Sequence, residues 1–408
     1  MRPVHTSTLS HLECPECGAR RDAEQLHGLC DCGSPLLARY DLTAAAAVTP
    51  ADIALREPTL WRYRELLPVR DPAYVVSLGE GMTPLLPLRR LGERFDLPGL
   101  LMKDDALLPT GTFKARGAAV AVSRAVELGV RAVAMPTNGN AGAAWAAYAA
   151  RAGIQLLVAM PVDAPAITRA EIRVAGAELY LVRGLISDAG RLIAAAVAER
   201  GGYQDVATLK EPYRVEGKKT MGFEIAEQLG WRMPDVVVYP TGGGVGLIGI
   251  YKALLELRDL GWVSGDLPRM VAVQSSGCAP IVRAYAAGQR RVQPWAPDAH
   301  TVAFGINVPA PLGGPLVLKA VRDSGGCVLA VSDEEALEAQ RECARLEGGL
   351  VCPEGGAALA AVHRLRTDGW LGRDDEVVVL NTGTGIKYPD TLDGDAPTLS
   401  PDGAIPAG

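Results

Sequence analysis

From about residue 55 to residue 389, short runs of valine, isoleucine and leucine alternate with alanine-rich stretches of helical character, and this alternation restricts the fold more than any other feature of the chain. "RAVAMPT" runs to a turn and then "NAGAAWAAYAARAG"; "IQLLVAM" is followed by "TRAEIRVAGA", and "ELYLV" by "DAGRLIAAAVAERG". "PDVVVYPTGGG", "MVAVQ", "CVLAVSD" and "EVVVLNTGTG" continue the series. Strands buried on both faces read as continuous apolar runs, and strand-helix alternation demands a parallel sheet with crossover helices. At least seven such units are more than one compact layer usually holds. The 408 residues also exceed the roughly 150 of a typical domain, so the predicted fold is α/β, with two doubly wound parallel-sheet domains and a cleft between them. Only 5% of residues are aromatic while Gly numbers 46, so the helices should pack through small side chains.

The two ends differ from this body. Residues 1–45 form a predicted cysteine-rich ribbon-like segment, residues 46–390 the two-domain core, and residues 391–408, rich in Pro, Gly, Asp and Ser, a disordered tail. Within "CPECGARRDAEQLHGLCDCG", Cys14 and Cys17 form a CxxC knuckle and Cys30 and Cys32 a CxC, each pair followed by glycine. Such turns let thiolates surround a tetrahedral zinc. The second pair is one residue short of the usual knuckle, so His27 is an alternative ligand, and a degenerate ribbon that folds without metal stands beside the zinc reading. Cys278, Cys327, Cys343 and Cys352 lie scattered in apolar or mixed segments and read as reduced thiols. A net charge of −6 without a dense Lys/Arg run argues against nucleic acid. The start of the sequence has no apolar signal core, and no window approaches a membrane span. A cytoplasmic protein without membrane contact is the expectation.

Ligands of open α/β sheets bind beyond the carboxyl ends of the strands, where three glycine-rich turns fall. "PTGGGVG" follows a strand and opens a helix, placing backbone N–H groups of Gly242, Gly243, Gly244, Val245 and Gly246 where they would surround an anion. It has neither the nucleotide-triphosphate loop pattern nor the dinucleotide spacing, which points to a smaller phosphate ester. Close helix-strand packing is the bland explanation of the same glycines. "PTNGNAG" sets Thr137, Asn138 and Asn140 at a strand end, suited to a carboxylate and a ring hydroxyl; "NTGTG" does likewise with Thr382 and Thr384. Asx and Ser/Thr turns would explain both. In "LLPTGTFKARGAA", Lys114 stands at a helix start, either as a solvated first-turn residue or as a reactive amine. One lysine, one phosphate cradle and polar side chains at strand ends are together the parts of a pyridoxal phosphate site, in which the lysine makes a Schiff base.

The succession "SLGEGMTPLLPL", "PTGTFKARGA", "TNGNAGAAWAAYA", "EPYRVEGKKTMGFEI", "PTGGGVGL", "PEGGAALAA" and "NTGTGIKYPD" resembles the fold-type II pyridoxal phosphate enzymes, and among them most the threonine synthases, over roughly residues 75–390. The cysteine-rich segment is similar to one ahead of many threonine synthase-like proteins. The resemblance implies that Lys114 is the Schiff-base lysine, that Phe113 packs near the ring, and that Asn140 hydrogen-bonds the ring hydroxyl. It implies that Gly242 to Gly246 hold the cofactor phosphate and that Thr382 meets the pyridine nitrogen, a neutral hydroxyl that leaves the nitrogen largely unprotonated. Arg214 and Lys218 then face the substrate phosphate, with Thr137 and Asn138 also on the substrate side.

Where threonine synthases usually read FKDRG, Ala115 replaces the aspartate. Thr208 and Leu209 stand where Asn and Ser usually assist the arginine, Lys218 replaces a glutamine, Thr384 stands for His or Asn, and Tyr388 for Asp. The implied activity is a lyase of threonine biosynthesis that converts O-phosphohomoserine and water to threonine and phosphate, with Lys114 shuttling protons. "GGGVG" and "FKARG" lean toward a serine/threonine dehydratase or a β-replacement enzyme resembling cysteate synthase, and a non-catalytic ligand-binding relative is the reading from another class. Homodimerisation is the default assembly of such folds.

Overall fold

The computed structural model describes residues 7–296, 298–392, 394–401 and 405. An antiparallel ribbon comes first, with β1 (Leu9–Glu13), β2 (Arg20–Arg21) and β3 (Leu37–Tyr40) in the order β2-β1-β3. The chain then lays down β4 (Leu85–Pro87) and β5 (Leu100–Asp104). Next come β6 (Ala132–Pro136), β7 (Gln155–Pro161), β8 (Glu178–Val182) and β9 (Gln204–Asp205), followed by β10 (Val236–Pro240), β11 (Arg269–Ser275), β12 (Cys327–Val331) and β13 (Val377–Asn381). β6 to β9 make a four-stranded parallel sheet in the order β8-β7-β6-β9. The larger sheet runs β12-β11-β10-β13-β5-β4, parallel except for the β4–β5 pair.

All seven strands expected from apolar runs are present and parallel, and every residue of β10 and β13 is buried. β8 and β12 are exposed or half-buried along most of their length, because each ends its sheet and one side lacks a neighbouring strand. The ribbon shares its apolar side with the body: Leu9, Leu12, Leu36 and Tyr40 lie in one cluster with Leu60, Tyr63 and Ala118. Tyr213 and Arg124 both donate to the carbonyl of Ala23, at 3.1 and 2.7 Å. Residues 394–401 carry no helix or strand; residues 393, 402–404 and 406–408 of the expected tail lie outside the described residues.

What holds the helix of Lys114 to its neighbours is charge. Arg116, near the start of the helix Lys114–Glu127, is fully buried and forks onto Asp105 with two bonds of 2.8 Å. Its guanidinium also reaches Glu224 at 2.8 Å, Thr220 at 2.9 Å and Thr83 at 2.9 Å. Lys103, also buried, meets Glu224 at 2.7 Å. Two cations thus face two carboxylates, and despite burial the Arg116 and Lys103 charges hold the Glu224 carboxyl down to about 2. Removing one partner of such a cluster leaves an uncompensated buried charge, which costs about 3–5 kcal/mol. Arg116→Ala should lose stability on that scale in urea unfolding, whereas a change under about 1 kcal/mol, the size of an exposed pair, would mean that the cluster does not hold the helix.

Candidate active site

Lys114 begins its helix because Thr110, Gly111 and Thr112 just before it are held in non-helical conformations. Pro109 opens a tight turn, Thr110 and Gly111 follow with φ of +61° and +63°, and Thr112 is extended. The turn is sewn to the end of β13: Phe113 N–H donates to Thr382 O at 3.0 Å and Thr384 N–H to Gly111 O at 2.9 Å. Lys114 and Thr382 are thereby placed on adjoining stretches of backbone. Among the described residues the side-chain hydrogen-bond partner of the Thr382 hydroxyl is the Cys352 thiol, at 3.7 Å.

The amines of Lys114 and Lys218 each sit 4.0 Å from the centroid of the Phe113 ring. Lys218 also donates to the Phe113 carbonyl, so its amine braces the turn that carries Lys114. Burial pushes Lys114 down to about 8; the Glu354 carboxylate opposes that fall and the Arg214 guanidinium adds to it. Burial, then the neighbouring Lys114 charge, keeps Lys218 well below the ordinary lysine range.

Arg214 opens the helix Arg214–Gln228 and is 4% exposed. It bonds Glu211 and Thr208, each at 3.2 Å, and the Val206 carbonyl, and lies 5.2 Å over the Trp145 ring. Thr208 therefore keeps a hydrogen bond to the arginine where the resembling enzymes usually carry asparagine. Leu209 next to it holds φ at +65° while buried, a strained conformation for a branched side chain.

The glycines of the second turn divide their work. A Cβ on Gly246 would collide with the Tyr239 hydroxyl, and one on Gly244 would collide with Val317 in a backbone with φ of +85°. Those two are packing and conformational requirements. A Cβ on Gly242 would meet the Gly305 carbonyl at 2.9 Å, whereas one on Gly243 would find only the Thr208 methyl, at 3.4 Å. The helix Val245–Asp259 starts there without a side-chain cap, leaving first-turn N–H groups for an anion.

Asn140 opens the helix Asn140–Ala152 and is 7% exposed. Its Nδ2 donates to the Tyr388 oxygen at 3.3 Å, and its Oδ1 has no protein partner. Thr137 is committed to the local turn, its hydroxyl accepting from Gly139 and Gly142 at 3.0 Å each. Asn138 donates to the Asn307 carbonyl at 3.3 Å. Glu354, in the first turn of the helix Pro353–Thr367, is not singled out by the sequence although it lies within "PEGG"; an acidic first-turn residue reads as a helix-end charge. Its Oε1 accepts from Tyr388 at 2.8 Å and from Gly305 N–H at 2.7 Å, while Oε2 is without a partner.

Buried polar atoms are normally paired, yet Thr110 Oγ1, Thr112 Oγ1, Asn140 Oδ1 and Glu354 Oε2 are not, and all four belong to this region. A phosphorylated, hydroxylated aromatic aldehyde fits such a site: an amine for the aldehyde, a glycine turn for the phosphate, and unpaired acceptors and hydroxyls for the ring. Residues 76–383 match the family of pyridoxal-phosphate dependent enzymes, and the chain belongs to it. It is 37% identical to threonine synthase of Methanosarcina acetivorans over 385 residues, 94% of this chain and 93% of that one. It is 36% identical to threonine synthase of Methanocaldococcus jannaschii over 379 residues, 92% and 93% of the two chains. Among solved structures, a threonine deaminase of T.th. superposes with a TM-score of 0.63 at 28% identity, covering 74% of this chain and 92% of that one.

A lysine near 8 is largely a free amine in mildly alkaline solution, unlike a surface lysine near ~10.4. In cofactor-free protein, acetic anhydride should label Lys114 at a rate that rises with pH through a midpoint of about 8. A midpoint beyond about 10, the unperturbed value, would show that burial does not lower this group.

Proposed function

We propose that the protein is a threonine synthase-type lyase, converting O-phosphohomoserine and water to threonine and inorganic phosphate. Arg214 carries the reading: a buried guanidinium within electrostatic reach of Lys114 is the donor that a leaving phosphate on a cofactor-held amino acid requires. When bound, pyridoxal phosphate supplies an aldehyde that holds an amino group and a ring that draws electron density from the adjoining carbon.

The chain's own residues do the rest. Lys114 would hold the cofactor at its aldehyde; as a free amine, the form that burial favours, it would take the α-proton of the substrate and return protons along the carbon chain. First-turn N–H groups after Gly243 would bind the cofactor phosphate, Phe113 would flank the ring, Asn140 would meet its hydroxyl and Thr382 would offer a neutral hydroxyl to its nitrogen. Arg214, oriented by Glu211 and Thr208, holds the substrate phosphate, with the Lys218 amine close by. Thr137 shapes the turn on which Asn138 is offered to the substrate carboxylate.

The ribbon at residues 1–45 binds structural zinc beside a catalytic body at 46–390 and a tail at 391–408. In support, the sulfur atoms of Cys14, Cys17, Cys30 and Cys32 all lie within 4.8 Å of one another, whereas the His27 ring is engaged with the Asp22 carbonyl. Four thiolates make a closed tetrahedral site with no open position for chemistry. No helix among the described residues is long and apolar enough to cross a membrane, which accords with a cytoplasmic enzyme, and a homodimer is the assembly we assign.

Substrate choice is tested by offering the enzyme O-phosphohomoserine, O-phosphoserine, serine and threonine. Phosphate release from the first is expected, and Arg214→Gln should cut it by well over tenfold, the scale of a lost charge-assisted bond of roughly 1.5–3 kcal/mol, with the cofactor spectrum retained. Formation of 2-oxo acid from threonine without phosphate release from either ester would instead make the enzyme a dehydratase. Borohydride reduction and peptide mapping should place the pyridoxyl label on Lys114; a label on another lysine overturns the assignment. Elemental analysis should find about one zinc per chain, and under half of that would leave a ribbon folded without metal.

A further inference from the structure

We propose that Glu354 and Tyr388 are positioning residues that dictate which atom of the Asn140 amide is presented to the ring hydroxyl of the cofactor. The inference rests on the reading of Asn140 as the residue that meets that hydroxyl, and deepens it.

The three side chains form one hydrogen-bonded line, and its direction is not free. Glu354 Oε1 accepts from Gly305 N–H at 2.7 Å and therefore presents a lone pair, not a proton, to Tyr388 at 2.8 Å. The Tyr388 hydroxyl must donate to it. Its one proton is then spent, so toward Asn140, 3.3 Å away, the phenol oxygen can only accept. An amide accepts through Oδ1 and donates through Nδ2, so Nδ2 is the atom that turns to Tyr388. Oδ1 is left over, buried and without a protein partner. Stacking of Tyr388 on Phe304, with centroids 4.6 Å apart, keeps the phenol from swinging out of line.

An acceptor facing the ring oxygen favours the form in which that oxygen keeps its proton; a donor would favour the deprotonated form. The backbone N–H of Gly305 thus decides, through three side chains, the protonation preferred at the ring. A carboxylate is not required for this. Any group at position 354 with one accepting oxygen at Oε1 preserves the direction, whereas an apolar group frees the Tyr388 proton for Asn140 Oδ1 and turns Nδ2 toward the ring.

The test is the absorption spectrum of each holoenzyme at one fixed pH, read as the ratio of the longer-wavelength band, with the ring oxygen deprotonated, to the shorter-wavelength band, with it protonated. E354M should raise this ratio by about tenfold, as expected when one hydrogen bond of roughly 1.4 kcal/mol changes sign, and Y388F, in which Nδ2 is no longer held away from the ring, should raise it as well. E354Q should stay within about twofold of wild type, because its amide oxygen is held by Gly305. An E354Q ratio equal to that of E354M would make the charge of Glu354 the cause and overturn the proposal, as would wild-type ratios in both E354M and Y388F. Should E354M fail to retain cofactor, E354Q against Y388F decides alone. N140A separates the layers: a wild-type spectrum there removes Asn140 from the ring altogether, while a shifted N140A beside unshifted Y388F keeps that reading and rejects the relay.

Discussion

The buried guanidinium of Arg116 is the constraint on which the site depends. A parallel sheet leaves its strand ends as loops, and loops alone do not hold an amine to within a fraction of an ångström. Here the helix behind Lys114 is pinned two residues in by bonds to Asp105 at the end of β5, to Glu224 and Thr220 on the helix Arg214–Gln228, and to Thr83. These partners come from separate stretches of chain, so the helix carrying Lys114 and the helix opened by Arg214 share one rigid joint. Gly117 and Gly217 make the contact possible, since a Cβ on Gly217 would collide with the Arg116 carbonyl.

That joint sets the electrostatics of the cleft. With its own charges balanced inside, the cluster lends little net field to the site, and the excess cation there comes from Lys114, Lys218 and Arg214. Three cationic groups crowded away from water cost energy in an empty protein. Lys114 and Lys218 answer by falling toward neutrality, while Arg214, which cannot readily shed its proton, is compensated by Glu211. A bound anion would favour the charged form of both lysines.

The sequence makes the seven central strands legible because their burial on both faces leaves no reason for polar residues. It hides β4, β5 and β9. "LLMKD" carries Lys103 and Asp104 in a strand, and the charge of Lys103 makes sense only once Glu224 is known to lie 2.7 Å away, 121 positions along the chain. Arg214 is different: its usual helpers are replaced, but a threonine hydroxyl can do what an asparagine amide does, and the hydrogen bond to Thr208 survives. Motif reading locates Lys114, Asn140 and Thr382 because each sits at a turn that glycine or proline makes recognisable. Glu354 has no such turn of its own, and its role depends on Tyr388 and Gly305, which no spacing connects to it.

Tyr388 is the clearest case of a departure that the fold makes intelligible. A phenol standing where the resembling enzymes usually carry aspartate removes a carboxylate from the loop that follows the last strand. The structure supplies one from another direction: Glu354 reaches in from a helix N-terminus, where the helix dipole favours negative charge. The exchange changes more than the origin of the charge. An aspartate at position 388 could accept hydrogen bonds but not pass on a direction, whereas a phenol between a carboxylate and an amide transmits the polarity of the first to the second. Glu354 at the same time opposes the fall of the Lys114 ammonium, so one carboxylate acts on both Lys114 and Tyr388. A site built this way ties the state of the lysine to the state of the ring oxygen through a single residue.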